Sequence, residues 1–446
     1  MSKIQTIAAI DIGTTKIVAI VGTKDETGNV NVLGYGEASS NGVTRGSVQN
    51  VGDVSAAIKQ AVQNCQRASG VVFKKVFVGI AGQNIRTIET SHTKVIEAPY
   101  ITQSDIDGLT REVYSLIKEN GEEIIHVIPQ SYTVDNSSVG LNPAGCSGKS
   151  LGGKFYVVIG RANAVQKIRQ AIEMAGLKVV KIVLQSIASG DAVLTDDDKE
   201  VGTLVADIGA GTTDVAIYQD KVLRSISVIP FGGNAITEDI RQSCQILARQ
   251  AENLKIRHAA AIPDAGSERT LVVVNGVGRT DKEISLADIA TITNARMDEI
   301  VAGIANALNE SKYGDKISHI AITGGGSRLK SLPTLIRYRL GKEVEQIKPR
   351  NFSAESCPKL FNVEYSTAVG LLVKGIEYID NYNESIGKNS SVDQHTEDTT
   401  PNKDDGSEHE EKPGNEPSEK KPSGFVAWFK KTVQSFFEED ETASKL

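Results

Sequence analysis

The stretch Asp207-Ile208-Gly209-Ala210-Gly211-Thr212-Thr213-Asp214 constrains this chain more than any other. The apolar run Val201 to Ala206 leads into it and Val215-Ala216-Ile217-Tyr218 leads out, so the pattern is strand, turn, strand. Glycines let backbone N–H groups approach a ligand, and successive N–H groups in such a turn form an anion nest. Thr212 and Thr213 add hydroxyl donors, and Asp207 can hold a hydrated cation. The P-loop and the Rossmann fingerprint are excluded, because both open a helix. An ordinary glycine-rich hairpin is the alternative.

A near-copy at the N-terminus shifts the balance. Residues 11–20 read Asp-Ile-Gly-Thr-Thr-Lys-Ile-Val-Ala-Ile, again after an apolar run and again continuing as a strand. Two copies of one hairpin imply two related halves whose turns face each other across a shared ligand. A ligand gripped by two such turns is most simply a polyphosphate with its metal.

At 446 residues the chain exceeds a single core and predicts two or more domains. The net charge of −7 is unevenly spread. Residues 381–423 hold 11 acidic and 5 basic side chains and residues 424–446 hold 4 and 3, which leaves the body neutral. Nothing in that balance points to nucleic acid. Cys65, Cys146, Cys244 and Cys357 are far apart, so a disulfide framework or zinc site is not expected. With no signal-peptide pattern at the start and no run of about 20 apolar residues, a cytosolic protein is expected.

The chain reads as one α/β half, with strands at 4–10, 16–22 and 30–35, a helix over 53–66 capped by Asp53, and a strand at 76–80. Residues 85–162 change texture and read as a small inserted α+β domain with a helix over 102–118. Helices at 163–175 and 184–194 lead to the second half, where a helix runs from Phe231-Gly232-Gly233-Asn234 through Cys244. A looser insertion at 250–300 and a helix over 288–308 follow. A buried strand at 317–323 comes next, then a helix at 331–340 and a last core helix at 366–374. Residues 381–423 are almost without apolar side chains and predict a disordered linker.

The third glycine cluster, Thr323-Gly324-Gly325-Gly326-Ser327-Arg328, ends a buried strand and allows flat backbone against a ring or sugar. A tight strand-to-helix turn is its alternative. With the two acid-led turns it forms a far more specific set, and this set resembles the actin-like ATPase superfamily. Within that superfamily the chain resembles the FtsA family of cell division proteins over roughly 1–380. The supporting stretches are His126-Val127-Ile128-Pro129-Gln130, Asn142-Pro143-Ala144-Gly145, Gly176-Leu177-Lys178-Val179, Lys255-Ile256-Arg257-His258 and Tyr365 to Leu372. Chaperones of the superfamily append a folded peptide-binding domain, and sugar kinases need a catalytic Asp that has no convincing candidate here. The filament protein MreB is shorter, lacks this tail and keeps the actin-type insertion.

The resemblance implies an α/β, actin-like (ribonuclease H-like) two-lobed fold with an inserted α+β subdomain, a disordered linker and a C-terminal amphipathic helix. Subdomain 1A would comprise 1–84, 163–198 and 364–380, with 1C at 85–162. Subdomain 2A would comprise 199–231 and 301–363, with 2B at 232–300. It implies ATP and Mg²⁺ as cofactors, with Asp11 and Asp207 holding the metal through waters. Gly13, Thr14, Thr15, Lys16, Gly209, Ala210, Gly211, Thr212 and Thr213 would line the phosphates, and Gly324, Gly325, Gly326 and Arg328 the nucleoside end. Gln185 matches a glutamine that orients the attacking water, a surface Gln being the alternative. Glu252 and Lys255 resemble a ribose-contacting pair, against a solvated i,i+3 pair.

The C-terminus points the same way independently. Phe425, Trp428, Phe429, Val433, Phe436 and Phe437 fall at helical spacing on one stripe, with Lys430 and Lys431 placed to meet anionic headgroups. Fourteen helical residues span about 21 Å, too short to cross a bilayer, so 424–440 reads as an in-plane membrane anchor. Docking of this helix on protein is the alternative. The function implied is a polymerising, ATP-binding protein that tethers FtsZ to the cytoplasmic face of the membrane at the septum. FtsZ's C-terminal peptide would sit on 232–300, and filament contacts with other copies would form through 85–162. Other division proteins are further partners, and nucleic acid is not. The alternative is a phosphotransferase or chaperone-type ATPase of the same fold.

Overall fold

The computed structural model describes residues 5–25, 28–82, 84–116, 121–263, 271–275 and 281–392. Two sheets organise them, and they share one topology. In the first half Thr6–Ile12, Lys16–Lys24 and Val30–Ser39 form an antiparallel meander, and Lys75–Ile80 and then Lys178–Leu184 add in parallel beside Thr6–Ile12. In the second half Thr203–Ile208, Thr213–Gln219 and Val222–Ile229 form the meander, and His319–Thr323 and Glu343–Gln346 add in parallel beside Thr203–Ile208. The strand order is three-two-one-four-five in both. The first sheet carries one further edge strand, Phe352–Ser353.

The hairpin repeat is ungapped. Asp11 pairs with Val18 and Asp207 with Asp214, and in each turn the glycine N–H donates to a carbonyl three residues on, Gly13 to Lys16 at 3.1 Å and Gly209 to Thr212 at 2.9 Å. A letter match that pairs Thr14-Thr15 with Thr212-Thr213 is therefore two residues out of register.

The central strands read as continuous apolar runs because both faces are covered, and Ile10, Val18 and Ile20 have no accessible surface. Helix Val51–Ser69 covers one face of the first sheet with Val54, Ile58, Ala61 and Cys65. Its cap differs from expectation. Asn50, not Asp53, accepts the N–H of Asp53, because the helix starts two residues earlier and Asp53 falls in its first turn. In the second half, Ile300 and Ile304 of helix Leu286–Glu310 join the core around Leu204, Ile217 and Ile320.

The inserted domain is a four-stranded antiparallel sheet, Ile85–Val95, Ser150–Arg161, Glu122–Val134 and Ser137–Gly140, backed by helix Gln103–Leu116. Its own core includes Leu109, Val113, Tyr132, Leu151 and Phe155. The last helix runs Ser366–Val392, past the expected 374 and into the stretch read as linker. Ile376 and Ile379, both buried, and then Tyr382 and Ile386 keep helical spacing past 374, and the expectation stopped short of that signal. The remainder of the linker and the expected membrane helix, Phe425 to Phe437 included, lie outside the described residues.

Two helices link the halves, Gln185–Val193 and the start of Ser366–Val392. They cross at Gly370, where a Cβ would lie 1.8 Å from the Ala188 carbonyl oxygen, so the backbones touch. Gly370→Ala is expected to force them apart and cost about 1–3 kcal/mol. A thermal unfolding midpoint equal to the parent's would show that the crossing tolerates a methyl group.

Candidate functional site

Between the two hairpins lies a cleft of about 950 Å³. Of the residues predicted for the site, Asp11, Gly13, Thr14, Thr15, Lys16, Gln185, Asp207, Gly209, Ala210, Gly211, Thr212, Glu252, Lys255, Gly324, Gly325, Gly326 and Arg328 all line it. Thr213 does not. It has turned into the strand and is fully buried, and its hydroxyl donates to the Phe231 carbonyl at 2.9 Å.

The acids dominate the electrostatics. Burial first, then the charge of Asp207, pushes Asp11 up to about 7, with Lys16 opposing. Asp214, which sequence reasoning did not assign, is pushed up to about 7 by burial and by Asp207 and Asp11. It accepts the Thr212 hydroxyl at 3.0 Å through Oδ2, and its buried Oδ1 has no hydrogen-bond partner. Asp207 is raised by burial, and the hydroxyls of Ser189 (2.5 Å) and Thr367 (3.0 Å) both donate to its Oδ2. Gln185 Nε2 donates to Asp11 Oδ1 at 2.7 Å. Lys16 rests its ammonium 3.5 Å from the centre of the Tyr365 ring, and the Tyr365 hydroxyl donates to Glu37 at 2.8 Å.

At the other end Gly324, at φ +82°, brings the backbone against Asp207, where a Cβ would meet Oδ1 at 2.2 Å. The 3-10 turn Gly325–Arg328 follows, and Arg328 pairs with Glu364 at the rim. Glu252 and Lys255, on helix Ala248–His258, pair at 2.7 Å, and Lys255 also donates to the Gly233 carbonyl at 3.0 Å. Both line the cleft, and the Thr237 hydroxyl behind them donates to Glu252.

Asp214 follows the Thr-Thr pair directly, but a reading anchored on the first hairpin gave it no counterpart. Ser189 stands four residues beyond Gln185, hence on the same helix face, and that spacing is the signal that could have found it. Among the described residues no three His, Cys, Asp or Glu side chains converge as direct metal ligands. Raised carboxylates and an orphaned carboxylate oxygen fit a cation that keeps most of its waters, as Mg²⁺ does.

This geometry sits on a known architecture. A chain of the PilM-PilN type IV pilus biogenesis complex superposes with a TM-score of 0.61 at 16% identity, covering 83% of this chain and 98% of that one. MreB 5 of Spiroplasma citri bound to AMPPNP gives 0.50 at 13% identity, covering 87% and 99%. The fold is that of the actin-like proteins. Two family models match, Cell division protein FtsA over residues 204–370 and the SHS2 domain inserted in FtsA over residues 82–159. Proteins named Cell division protein FtsA from Neisseria meningitidis serogroup B and Pseudomonas aeruginosa are each 33% identical. The first alignment covers 82% of this chain and 89% of the relative, the second 84% and 91%. The Escherichia coli K12 protein of that name is 28% identical, covering 83% and 90%. This chain belongs to the FtsA family of cell division proteins.

The acids predict a pH dependence. A carboxyl at about 7 in the folded state and near 4 unfolded binds more protons when folded, so its contribution to stability falls as pH rises through that window and is gone above it. Asp11→Asn removes one such group. The stability of the nucleotide-free parent relative to this variant is expected to drop by about 1 kcal/mol between pH 6 and pH 8. Parallel melting curves across that range would contradict the raised pKa.

Proposed function

We propose that this protein binds Mg-ATP in the cleft, assembles with copies of itself and tethers FtsZ to the cytoplasmic face of the membrane at the division septum. The observation that carries this reading is the pair of facing turns, each led by an acid, with a glycine turn behind them. Gly13 and Gly209 spend their N–H groups closing the turns, and the backbone N–H groups of Thr14, Thr15, Ala210 and Gly211 would cradle phosphates, with Lys16 and the hydroxyls of Thr14 and Thr212 beside them. Asp11 and Asp207 would hold Mg²⁺ through waters, with Asp214 as a third acid nearby. Bound metal supplies charge neutralisation for phosphates and for these acids alike. Gln185 would orient a water, and Glu252 with Lys255 would meet the ribose. MreB 5 with AMPPNP bound, an actin-like relative by fold, supports the nucleotide part.

The remaining parts follow the family and the tail sequence. FtsZ's C-terminal peptide would dock on residues 232–300, filament contacts would run through 85–162, and other division proteins would join. The helix at 424–440 would bind lipid weakly, and assembly would present many copies to one membrane and raise avidity. No helix among the described residues is long and apolar enough to cross a bilayer.

Asp207→Ala should weaken Mg-ATP binding at least about tenfold by calorimetry. Parental affinity in that variant would remove the cleft from consideration. Deleting residues 424–446 should abolish co-sedimentation with anionic liposomes and leave ATP binding intact. A full-length protein that ignores liposomes even with ATP would defeat the tether.

A further inference from the structure

Of the stretches the sequence singles out, His126-Val127-Ile128-Pro129-Gln130 has no task in the reading above. It lies on Glu122–Val134 of the inserted domain, whose ladder with Ser150–Arg161 slips between the pairs Lys154–Ser131 and Phe155–Pro129. Gln130 is the residue left out of register, and bulges of this kind re-aim a side chain. Its Nε2 donates to the Leu223 carbonyl at 2.9 Å, and Arg224 Nη1 donates to the Gln130 carbonyl and to its Oε1, each at 3.2 Å. On the neighbouring strand the Tyr156 hydroxyl accepts the Ile226 N–H at 3.0 Å. The inserted domain thus holds Val222–Ile229, the outer strand of the second half's sheet.

Four residues before Gln130, His126 reaches the first half. Its Nε2 accepts the Leu184 N–H at 3.1 Å. Leu184 ends the outer parallel strand of the first sheet and is the N-cap residue of helix Gln185–Val193. The next side chain, Gln185, is the one that donates to Asp11 Oδ1. The ring suits this task, since burial and the nearby Lys181 and Lys374 push His126 down to about 3, leaving it neutral and able to accept.

We infer that His126 is a positioning residue for Gln185: from the inserted domain it fixes the residue at the start of the helix and so holds the Gln185 amide on Asp11. This rests on the proposed nucleotide role of the cleft. Because Gln130 on the same strand grips the second half, the seating of the inserted domain and the reach of Gln185 into the cleft move together.

The test is a double-mutant cycle in the full-length protein, reading Mg-ATP affinity by calorimetry and phosphate release from Mg-ATP. His126→Leu should shift the same constant as Gln185→Ala, in the same direction, by about 3- to 10-fold, and the double variant should do no worse than Gln185→Ala alone. His126→Asn, which keeps an acceptor, should recover most of the loss. His126→Thr, too short to reach Leu184, takes the place of the leucine variant should that fail to fold. Parental constants in His126→Leu beside a clear effect of Gln185→Ala, or losses that simply add, would overturn the inference. A Gln185→Ala protein unchanged in both constants would instead remove the role of Gln185 in the cleft, and the inference with it.

Discussion

Three carboxylates, Asp11, Asp207 and Asp214, are brought within electrostatic reach of one another in a cleft wall, and much of the structure follows from keeping them there. Like charges in poor solvent repel, so the arrangement persists only where rigid elements impose it. The strands that deliver these acids are central members of their sheets, flanked by pairing on both sides. Hydroxyls from Ser189 and Thr367, one on each linking helix, hold Asp207, and the amide of Gln185 holds Asp11. The helices that join the halves are thereby the helices that orient the acids. Their contact at Gly370 fixes how far apart the two hands of the cleft stand.

The duplicated hairpins could be read from the sequence because an acid, an isoleucine and a glycine after an apolar run leave few other conformations. That reading, with the resemblance built on it, reached the two turns, the glycine turn, Gln185, Glu252 and Lys255 but not the rest of the lining, Asn234, Arg257, His258 and Lys330 among it. It went astray at Thr213, where matching letters pulled the turn two residues too far, while the ladder, set by hydrogen bonding, kept the repeat ungapped. Asp214 went unassigned because the letter match sets it against Lys16 and the ungapped ladder against Val18, neither of them an acid. Ser189 and Thr367 were hidden for another reason. Short hydroxyl side chains on buried helices pack as readily as they bind, and only their distance to Asp207 tells the cases apart.

The inserted domain shows where pattern reading stops. Its α+β character follows from a change in texture along the sequence. That its strand carries His126 to one half and Gln130 to the other depends on a bulge, and a bulge is a property of pairing between strands, not of either strand's sequence. Helix Ser366–Val392 teaches the complementary point. Past Lys374 its apolar residues thin to Ile376, Ile379, Tyr382 and Ile386, still at helical spacing, and the polar composition between them drew the reading to a linker.

The two hairpins share a topology, yet they are not equal hands. Where the first turn places Lys16, the second places Thr212, and where the second strand of the first hairpin has Val18, that of the second has Asp214. The turn at Gly324 stands behind the second hairpin, and the Lys16 ammonium of the first rests on the Tyr365 ring. A cradle of two identical turns would accept an elongated guest head first or tail first with the same energy. By breaking the symmetry with one cation on one side and one extra anion on the other, the chain gives the cleft a polarity. A guest that is itself unsymmetrical then has a single way to lie.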